Sequence, residues 1–363
     1  MDLPKPVHGM SNINLAILNY FKAHSYSPKL INTAPSKFAS YFNSRLWGFV
    51  KFFHSIFCFF KLIFFCFSRK QKVLYRPING GFGQIYDLAY ITLGRIFNKK
   101  LYIHHHSFNY INDESPLFKI LNIIAGNKAI HIVLGSRMKM KLADLYSIDV
   151  NNIKVISNLS FFNGDSNEKP NFLTNEPVVI GHLANLCIDK GVDVFIDVCK
   201  RLDELLFPYK AVIAGPFADE AAKALIETNC SKNVNITYLG PLYGQSKAQF
   251  YSQLDCFIFP SKYKNEAEPL VLFEAAEYGN LLIGTQRGCM IDVIKSLSGY
   301  ALIENEALTN AIVGTIHQSK QMDEFGLEAK NKRLVNFKEE HSKAFNSLFL
   351  LMEDMKNNEL SNS

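Results

Sequence analysis

Apolar runs and amphipathic segments alternate along the second half of the chain. The apolar runs are VVIGHLAN, YKAVIAG, NITYLG, DCFIFPS and LLIGT, which begin at residues 178, 209, 235, 255 and 281. The segments between them have apolar residues at helical spacing, which predicts helices over 192–206, 219–228, 245–254 and from Pro269 onward. Short apolar strands separated by helices are typical of a parallel sheet that is covered on both faces.

The first half follows the same pattern less regularly. VLYRPIN, KKLYIHHHSF, HIVLGS and IKVISN are predicted strands, and GGFGQIYDLAYITLGRIF is a predicted helix between the first two. We therefore predict an α/β protein with two doubly wound Rossmann-like domains that face each other across a cleft at the carboxyl ends of their strands. The predicted parts are an N-terminal domain at 1–163, a polar linker at 164–177, a C-terminal domain at 178–325 and a last helix at 326–356 that crosses back.

One segment near the start is exceptionally rich in phenylalanine. FVKFFHSIFCFFKLIFFCF, residues 49–67, holds nine phenylalanines in nineteen positions. As a helix it would be about 28 Å long, close to the hydrocarbon thickness of a bilayer. Lys51, His54, Cys58 and Lys61 recur at helical spacing and form one narrow polar stripe. Three interpretations stay open, in this order: a packed crossover helix that also touches a membrane interface, a helix wholly within the core, and a spanning helix.

Charge is divided unevenly between the two halves. Of the 39 Lys and Arg residues, 20 lie in residues 1–163, against 6 of the 33 Asp and Glu, so this half carries +14 and the remainder −8. The basic half is therefore expected to face an anionic surface. A membrane surface is favoured over nucleic acid, because no zinc-finger spacing or RNP-like aromatic motif accompanies the charge.

Composition narrows the class of protein. The 363 residues suffice for two domains, and 48% hydrophobic against 20% charged residues predicts a large core. The seven cysteines are scattered and form no C-x-x-C pair, which argues against a disulfide framework or zinc site and for a reducing compartment. The chain opens with no basic region leading into an apolar run, so no signal peptide is indicated. These features predict a cytoplasmic location.

Acidic residues interrupt a nearly all-apolar stretch, NEAEPLVLFEAAEYG, at Glu266 and Glu274. A buried carboxylate without a partner costs roughly several kcal/mol, so a bound partner is expected. Pro269 fits the first helical position, which would leave the N–H groups of Leu270 and Val271 free to bind an anion such as pyrophosphate. Carboxylates beside such a cradle accept sugar hydroxyls, and the stretch therefore indicates a nucleotide-sugar site.

The same stretch carries a family resemblance. The motif PS-x4-E-x7-E-A-x3-G, with its acids at Glu266 and Glu274, resembles the E-x7-E signature of GT-B glycosyltransferases of family 4. IGHLANLCIDKGVDVFI, AVIAGP, ITYLGPL and LLIGTQRGCMIDVI resemble that family's other segments, in the same order, over about 150 residues. The order of these segments makes the resemblance specific, whereas the two glutamates alone would not.

The resemblance implies roles for individual residues. Lys190 matches the lysine that holds the donor diphosphate, Glu266 the acid at the donor sugar, and Glu274 the acid at the ribose. Asn185 stands where such families commonly have arginine, so one bidentate phosphate donor is missing from the predicted donor site. Arg287 is a candidate to compensate for it.

In the first half, the resemblance points to His106. The family places one histidine at this strand end, near the reacting sugar, and alternation puts His104 and His106 on one face of the strand. A stacked polar cluster and a metal site are the competing interpretations, and the lack of a carboxylate-rich partner motif or D-x-D argues against the metal. Gly9 resembles the glycine of the turn after the family's first strand, where the backbone approaches donor or acceptor, and Asp87 is a candidate at the acceptor. Few residues precede Gly9, so the family's opening strand is expected to be missing or to lie upstream.

The resemblance implies a retaining, metal-independent glycosyltransferase of the hexosyltransferase type that needs no bound cofactor. It would move a sugar from a nucleotide-sugar donor to a lipid-linked glycan acceptor at the inner face of the membrane, in surface polysaccharide assembly of the O-antigen or capsule type. Lys190 and the first amides of the following helix would neutralise the leaving diphosphate. Two alternatives stay open: another GT-B enzyme such as a nucleotide-sugar epimerase, and a non-catalytic GT-B protein that binds a partner glycosyltransferase.

Overall fold

The computed structural model describes residues 1–4, 9–23, 28–36, 38, 46–68, 71–162 and 177–360. Two compact units account for the chain: Met1–Phe161 together with Ala344–Ser363, and Phe162–Lys343. Each unit contains one parallel sheet. The predicted linker 164–177 lies outside the described residues except for Pro177, and so do residues 6–8 of the turn that was predicted around Gly9.

The first unit is built on a four-stranded parallel sheet. Its strands lie side by side in chain order: β1 (Val73–Ile78), β2 (Lys100–His105), β3 (Ile130–Val133) and β4 (Ile153–Val155). The connecting helices are α3 (Gln84–Ile96), the short α4 (Asn109–Asn112), α5 (Pro116–Ala125) and α6 (Ser136–Tyr146). The strands predicted from VLYRPIN to IKVISN are confirmed.

Two helices precede β1, namely α1 (Gly9–Ala23) and α2 (Trp47–Cys66). The phenylalanine-rich segment is therefore helical, as predicted, but its predicted place as a crossover is wrong, because no described strand comes before it. Small and polar side chains of α2, including Ser55, Cys58 and Cys66, are buried against the unit, whereas most of its phenylalanines are exposed. A helix wholly within the core would bury those rings, so that interpretation is wrong too.

The second unit is built on a six-stranded parallel sheet with the order β10-β9-β8-β5-β6-β7. The strands are β5 (Val178–Leu183), β6 (Tyr209–Ala214), β7 (Ile236–Tyr238), β8 (Cys256–Phe259), β9 (Leu281–Thr285) and β10 (Tyr300–Leu302). The helices are α7 (Val192–Glu204), α8 (Glu220–Lys232), α9 (Gly244–Ser252), α10 (Leu270–Ala276), α11 (Met290–Ser296) and α12 (Leu308–Gln321). Every residue of β8 and β9 is buried, as expected for central strands that are covered on both faces. The edge strand β10 was not predicted, because three half-buried residues carry too little pattern.

The last helix, α13 (Leu327–Leu360), contributes to both units. In the second unit, the Lys330 ammonium lies 2.7 Å from the carboxylate of Asp255, and both side chains are buried. In the first unit, the Glu359 carboxylate accepts hydrogen bonds from the backbone N–H groups of Lys72 and Val73 at 3.0 and 2.9 Å. The first unit therefore contains residues 344–363 as well as the N-terminal part of the chain.

Candidate active site

The strand order of the second sheet reverses at β5, which lies between β8 and β6. Ligands of doubly wound sheets bind at such a switch point, outside the carboxyl ends of the strands. The loops that follow β5 and β8 meet there, since the backbone N–H of Lys262 donates to the carbonyl of Asp189 at 2.8 Å. This pairing brings residues about 70 positions apart in the chain to one edge of the sheet.

A glycine allows the loop after β5 to lie against the end of β8. Lys190 closes a short 3₁₀ turn, and Gly191 follows with a φ of +81°, in the left-handed region. A Cβ atom at Gly191 would lie 2.1 Å from the carbonyl oxygen of Pro260, so only glycine fits this close approach. The turn therefore fixes the backbone from which the Lys190 side chain extends.

Lys190 and Glu266, two of the predicted site residues, are direct partners. The Lys190 ammonium lies 2.6 Å from Oε2 of Glu266, and the Ser261 hydroxyl donates to the same oxygen at 3.0 Å. The Tyr263 ring faces the ammonium, with its centroid 4.8 Å away. A lysine ammonium has three donors, so Lys190 keeps donors for an anionic ligand while Glu266 orients it. The pair is suited to hold a diphosphate beside a sugar hydroxyl.

A second glycine supports the loop that carries Glu266. Gly288 has a φ of +47°, and a Cβ there would lie 2.0 Å from the carbonyl oxygen of Glu266. The Cys289 N–H also donates to the carbonyl of Ala267 at 2.9 Å. The side chain of Arg287, the candidate substitute for the missing arginine, donates instead to the Glu304 carboxylate, with its Nε 2.6 Å away. Sequence reasoning missed Gly288, although a lone glycine after a strand is a turn signal.

Glu274 has protein partners of its own. The Lys247 ammonium lies 2.6 Å from its Oε1, and the Tyr251 hydroxyl donates to its Oε2 at 2.9 Å. These protein partners satisfy part of the need for a partner that the sequence indicated, and the predicted role of Glu274 at the ribose stays a prediction. Both partners lie on α9, more than twenty residues before Glu274 in the chain. No local sequence pattern marks them as partners of Glu274.

The remaining donor-side residues lie at the same end of the sheet. Asn185 is exposed just after β5, and Leu270 and Val271 are the half-buried first residues of α10. Pro269 precedes the helix with a ψ of 129° and is not its first helical residue, so the predicted helix start is wrong by one position. The first amides of a helix have no partner within it, which leaves those of Leu270 and Val271 available to a ligand by geometry.

The histidines of the first unit divide between the two faces of β2, as alternation predicts. The rings of His104 and His106 lie side by side with their centroids 4.0 Å apart and their planes tilted by 43°. His105 lies on the other face, where its two ring nitrogens pair with the Tyr110 hydroxyl at 2.9 Å and with His131 at 3.0 Å. The Nε2 atoms of His104 and His106 are buried and have no hydrogen-bond partner within the part of the chain that the structure describes.

Burial keeps these imidazoles neutral. Burial lowers the pKa of His106 to about 3. The pKa of His104 also lies well below its ordinary value, first because the ring is buried and second because a proton on His104 would be repelled by one on His106. A neutral imidazole offers either a donor or an acceptor at Nε2, and it suits a sugar hydroxyl better than a phosphate. Among the described residues, no group of three His, Cys, Asp or Glu side chains is arranged so that it could hold a metal ion.

The predictions for Asp87 and Gly9, also in the first unit, have different outcomes. Asp87 is fully buried and accepts from Arg76 Nε at 2.9 Å and from the Asn79 backbone N–H at 2.7 Å, so the expectation that it faces an acceptor is wrong. Gly9 is the first residue of α1, and the residues just before it lie outside the described part of the chain. Its assignment to the donor site stays a prediction.

Comparisons with known proteins agree with this geometry. The model of the family described as glycosyl transferases group 1 matches residues 164–332, which include Lys190, Glu266 and Glu274. A glycosyltransferase from Rickettsia africae ESF-5 is similar in structure, with a TM-score of 0.71 and 16% identity over 97% of this chain and 95% of that one. Anabaena HepE in complex with UDP has a TM-score of 0.62 and 15% identity, over 94% and 88% of the two chains.

The chain spans only part of another similar structure. TarM has a TM-score of 0.62 and 17% identity, and the likeness covers 84% of this chain but 58% of TarM. No curated protein matches the chain. At these identities the solved structures establish the fold, and the predicted GT-B architecture is confirmed. The second unit thus matches the group 1 glycosyl transferase model over residues 164–332, and the chain has the fold of the GT-B glycosyltransferases.

Proposed function

We propose that the protein transfers a sugar from a nucleotide-sugar donor to a lipid-linked glycan acceptor, with retention at the anomeric carbon, in surface polysaccharide assembly. The Lys190–Glu266 pair at the switch point of the second sheet carries this proposal. A cation and an acceptor 2.6 Å apart can hold the diphosphate and a sugar hydroxyl of one donor molecule. The similar Anabaena protein has been solved with UDP and with UDP-glucose, which supports a donor of this class.

The donor side of the proposed reaction rests on electrostatics. As the bond between the anomeric carbon and the diphosphate breaks, negative charge builds on the leaving phosphate. The Lys190 ammonium is positioned to neutralise that charge, and Glu266 holds Lys190 in place before the reaction begins. The amides of Leu270 and Val271 add a smaller contribution at the same edge. We propose that this step needs neither a metal nor a bound cofactor.

The acceptor side rests on α2 and the charge of its unit. Phe53, Phe57, Phe60 and Phe64 of α2 are each more than 60% exposed, although a folded protein in water rarely leaves so many aromatic rings together outside. The basic half of the chain, with a net charge of +14 over residues 1–163, would be attracted to anionic lipids. We therefore propose peripheral association with the inner face of a membrane.

A spanning arrangement of α2 is disfavoured by its packing. Trp47–Cys66 is long and apolar enough to cross a bilayer, and 22% of its most apolar window is buried. One side of the helix nevertheless packs on α3, where Cys58, Leu62 and Cys66 form a cluster with Tyr90 and Leu93. A helix fixed to a basic α/β unit in this way is suited to lie in the interface with its phenylalanines towards lipid.

The catalytic proposal is tested with labelled nucleotide sugars, chosen by the rise in melting temperature that each one causes. A donor at 100 times its Kd should add about 2.7 kcal/mol of stability. Transfer that requires a polyprenyl-diphosphate-linked sugar supports the proposal. Conversion of the donor to an epimer without acceptor supports the epimerase alternative. If no nucleotide sugar raises the melting temperature, or if a bound donor undergoes neither reaction, the proposal is overturned in favour of a non-catalytic protein.

The membrane proposal is tested by sedimentation with anionic vesicles. The protein should bind at low salt and release partly as salt rises, because attraction by a basic surface is screened within about 10 Å at 0.1 M salt. The double variant Phe57→Ser/Phe64→Ser should lose binding, whereas Val234→Ser, at a fully exposed site in the second unit, should keep it. Retention in both high salt and alkaline carbonate would indicate a spanning helix and overturn the peripheral arrangement.

A further inference from the structure

A cavity of about 250 Å³ lies in the first unit against the inner side of α2. Its interior is formed by apolar side chains from four elements: Leu18 of α1, Leu62 and Cys66 of α2, Leu74 of β1 and Tyr90 of α3. Four of these five are buried, and Leu74 is partly buried against the same cluster. The cavity therefore belongs to the core that attaches α2 to the sheet.

The polar groups at the rim are engaged elsewhere. Lys99 donates to the backbone carbonyls of Ser68 and Gln71 at 3.0 and 2.6 Å. Glu359 accepts from two backbone N–H groups at the start of β1. Lys29 also lines the cavity, but its side chain is exposed to solvent at the rim. The buried N-terminal amine of Met1, which also lines the cavity, donates to the carbonyl of Ile31 at 3.1 Å. A ligand inside would therefore meet mainly apolar groups, and its polar end would remain at the rim.

Two polar side chains of β1 also reach the cavity wall, and both are satisfied internally. The Arg76 guanidinium pairs with the buried carboxylate of Asp87, and its charge also faces the ring of Tyr90 at 4.6 Å. The Tyr75 hydroxyl is bonded to Nδ1 of His104. A hydrocarbon ligand would leave these bonds intact, whereas a polar ligand would have to compete for them.

The volume of the cavity fits a chain rather than a small solute. Protein cores contain few voids larger than a water molecule. An apolar cavity of about 150 Å³ holds the six carbons of benzene, so by proportion a cavity of about 250 Å³ has room for roughly ten carbons.

The cavity and the exposed phenylalanines lie on opposite sides of the same helix. Leu62 and Cys66 face the cavity, while Phe60 and Phe64 are among the exposed rings. A helix with its side chains is about 10 Å across, so a lipid at the outer face of α2 has only that distance to pass.

We propose that this cavity binds the end of the hydrocarbon chain of a membrane lipid, acyl or isoprenoid, while the outer face of α2 rests on the membrane. The proposal deepens the proposed function and rests on its membrane part, since a lipid-linked acceptor carries such a chain. Binding in the cavity would hold the first unit at a lipid for longer than surface contact alone.

A series of straight-chain 1-alkanols, from butanol to tetradecanol, tests the proposal on the full-length protein by titration calorimetry below the solubility limit of each alcohol. Burial of each added methylene should raise the affinity about fourfold. The rise should stop near ten carbons, where the cavity is full. An affinity that does not depend on chain length, or that keeps rising to fourteen carbons as surface adsorption would, overturns the proposal.

Two variants locate the site. Cys66→Phe extends a ring into the cavity and should weaken octanol binding at least tenfold, with folding checked by the melting temperature. The matched control, Phe64→Ser on the outer face of α2, should leave octanol binding unchanged while weakening vesicle binding. Unchanged octanol binding in a folded Cys66→Phe protein would overturn the cavity assignment, and the chain-length series on the unmodified protein remains decisive if that variant does not fold. Vesicle binding and sugar transfer to the lipid-linked acceptor are measured in parallel on the unmodified protein, so a failed cavity proposal is distinguishable from a failed membrane or catalytic one.

Discussion

Lys190 and Glu274 were both predicted as donor-binding residues, yet their surroundings differ. Lys190 pairs with Glu266 beside the Ser261 hydroxyl, and all three belong to the loops at the switch point. Glu274 is held by Lys247 and the Tyr251 hydroxyl, so a ribose would have to share it with a lysine. The roles of the two residues therefore need different tests.

Lys190→Ala should lower turnover by roughly ten- to a thousandfold, because one cation is lost at the leaving diphosphate. Glu266 is buried and keeps the Ser261 hydroxyl as a partner, so the variant should lose stability, and the melting temperature shows whether it is still folded. Lys262→Ala is the matched control, since Lys262 is similarly exposed and pairs with Asp193. Initial rates and melting temperatures are measured for both variants. Wild-type turnover in a folded Lys190→Ala protein would show that Lys190 does not stabilise the leaving diphosphate.

Glu274→Gln should weaken donor binding by about 1.5–3 kcal/mol, the scale of hydrogen bonds to a charged group. It should also lower stability by about 1 kcal/mol or less, because Lys247 loses a partner at a half-exposed site. Lys247→Met should give a similar loss of stability with donor affinity retained. Donor Kd and melting temperature are measured for both. A destabilised Glu274→Gln protein with unchanged Kd would show that Glu274 serves only the contact between α9 and α10.

At the scale of elements, the turn after β5 and helix α2 show how single positions set the geometry of a segment. Gly191 allows the turn that carries Lys190 to touch Pro260 at the end of β8. In α2, small and polar residues face the unit, so the phenylalanines face outward. One element supports the candidate active site and the other provides the proposed membrane face.

Gly191→Ala should destabilise the protein by about 2 kcal/mol or more. A left-handed backbone costs roughly 1–2 kcal/mol for a residue with a Cβ atom, and the clash with the Pro260 carbonyl adds to it. Gly314→Ala is the control, because Gly314 lies within α12 with nothing near its Cβ position, and alanine should stabilise that helix by roughly 0.5–1 kcal/mol. Urea unfolding measures both changes, and equal stability of Gly191→Ala and the wild type would contradict the assigned turn.

At the scale of the whole molecule, each unit has its own core and contains buried histidines. Burial lowers the pKa of His106 to about 3 and that of His131 to about 4 in the first unit, and that of His182 to about 4 in the second. His182 Nδ1 is bonded to the Ile258 carbonyl, and its ring lies against Phe195 and Phe259. Protonation of these rings is favoured in the unfolded chain, where the pKa is about 6.5.

Both units should therefore lose stability in mild acid. The contribution of each histidine is fully present above pH 6.5 and is lost as the pH falls from 6.5 towards 4, at up to about 1.4 kcal/mol per pH unit for each proton taken up on unfolding. Denaturant unfolding between pH 7 and 4.5 measures this slope, and His182→Phe should reduce it by about one proton. A stability that does not change over this range would contradict the buried, neutral histidines.

Local pattern was sufficient for most of the fold and part of the site. Period-2 and period-3.6 spacing identified most strands of both sheets, and the motif around Glu266 led to the switch point. It failed where a side chain depends on a residue far away in the chain. Asp87 looked available to an acceptor but pairs with Arg76, and Arg287 pairs with Glu304. A sequence gives the spacing of residues along an element, and such pairs form only when elements pack.

The sequence by itself determined the α/β class, the two sheets, the helical character of residues 49–67 and the choice of Lys190 and Glu266 as candidate site residues. Only the tertiary structure decided which side of α2 is buried, because periodicity shows which residues share a face but not which face meets the core. It also decided that Glu274 has Lys247 as its partner and that Asp87 pairs with Arg76. These contacts join residues that are distant in the chain, and folding alone brings them within hydrogen-bonding distance.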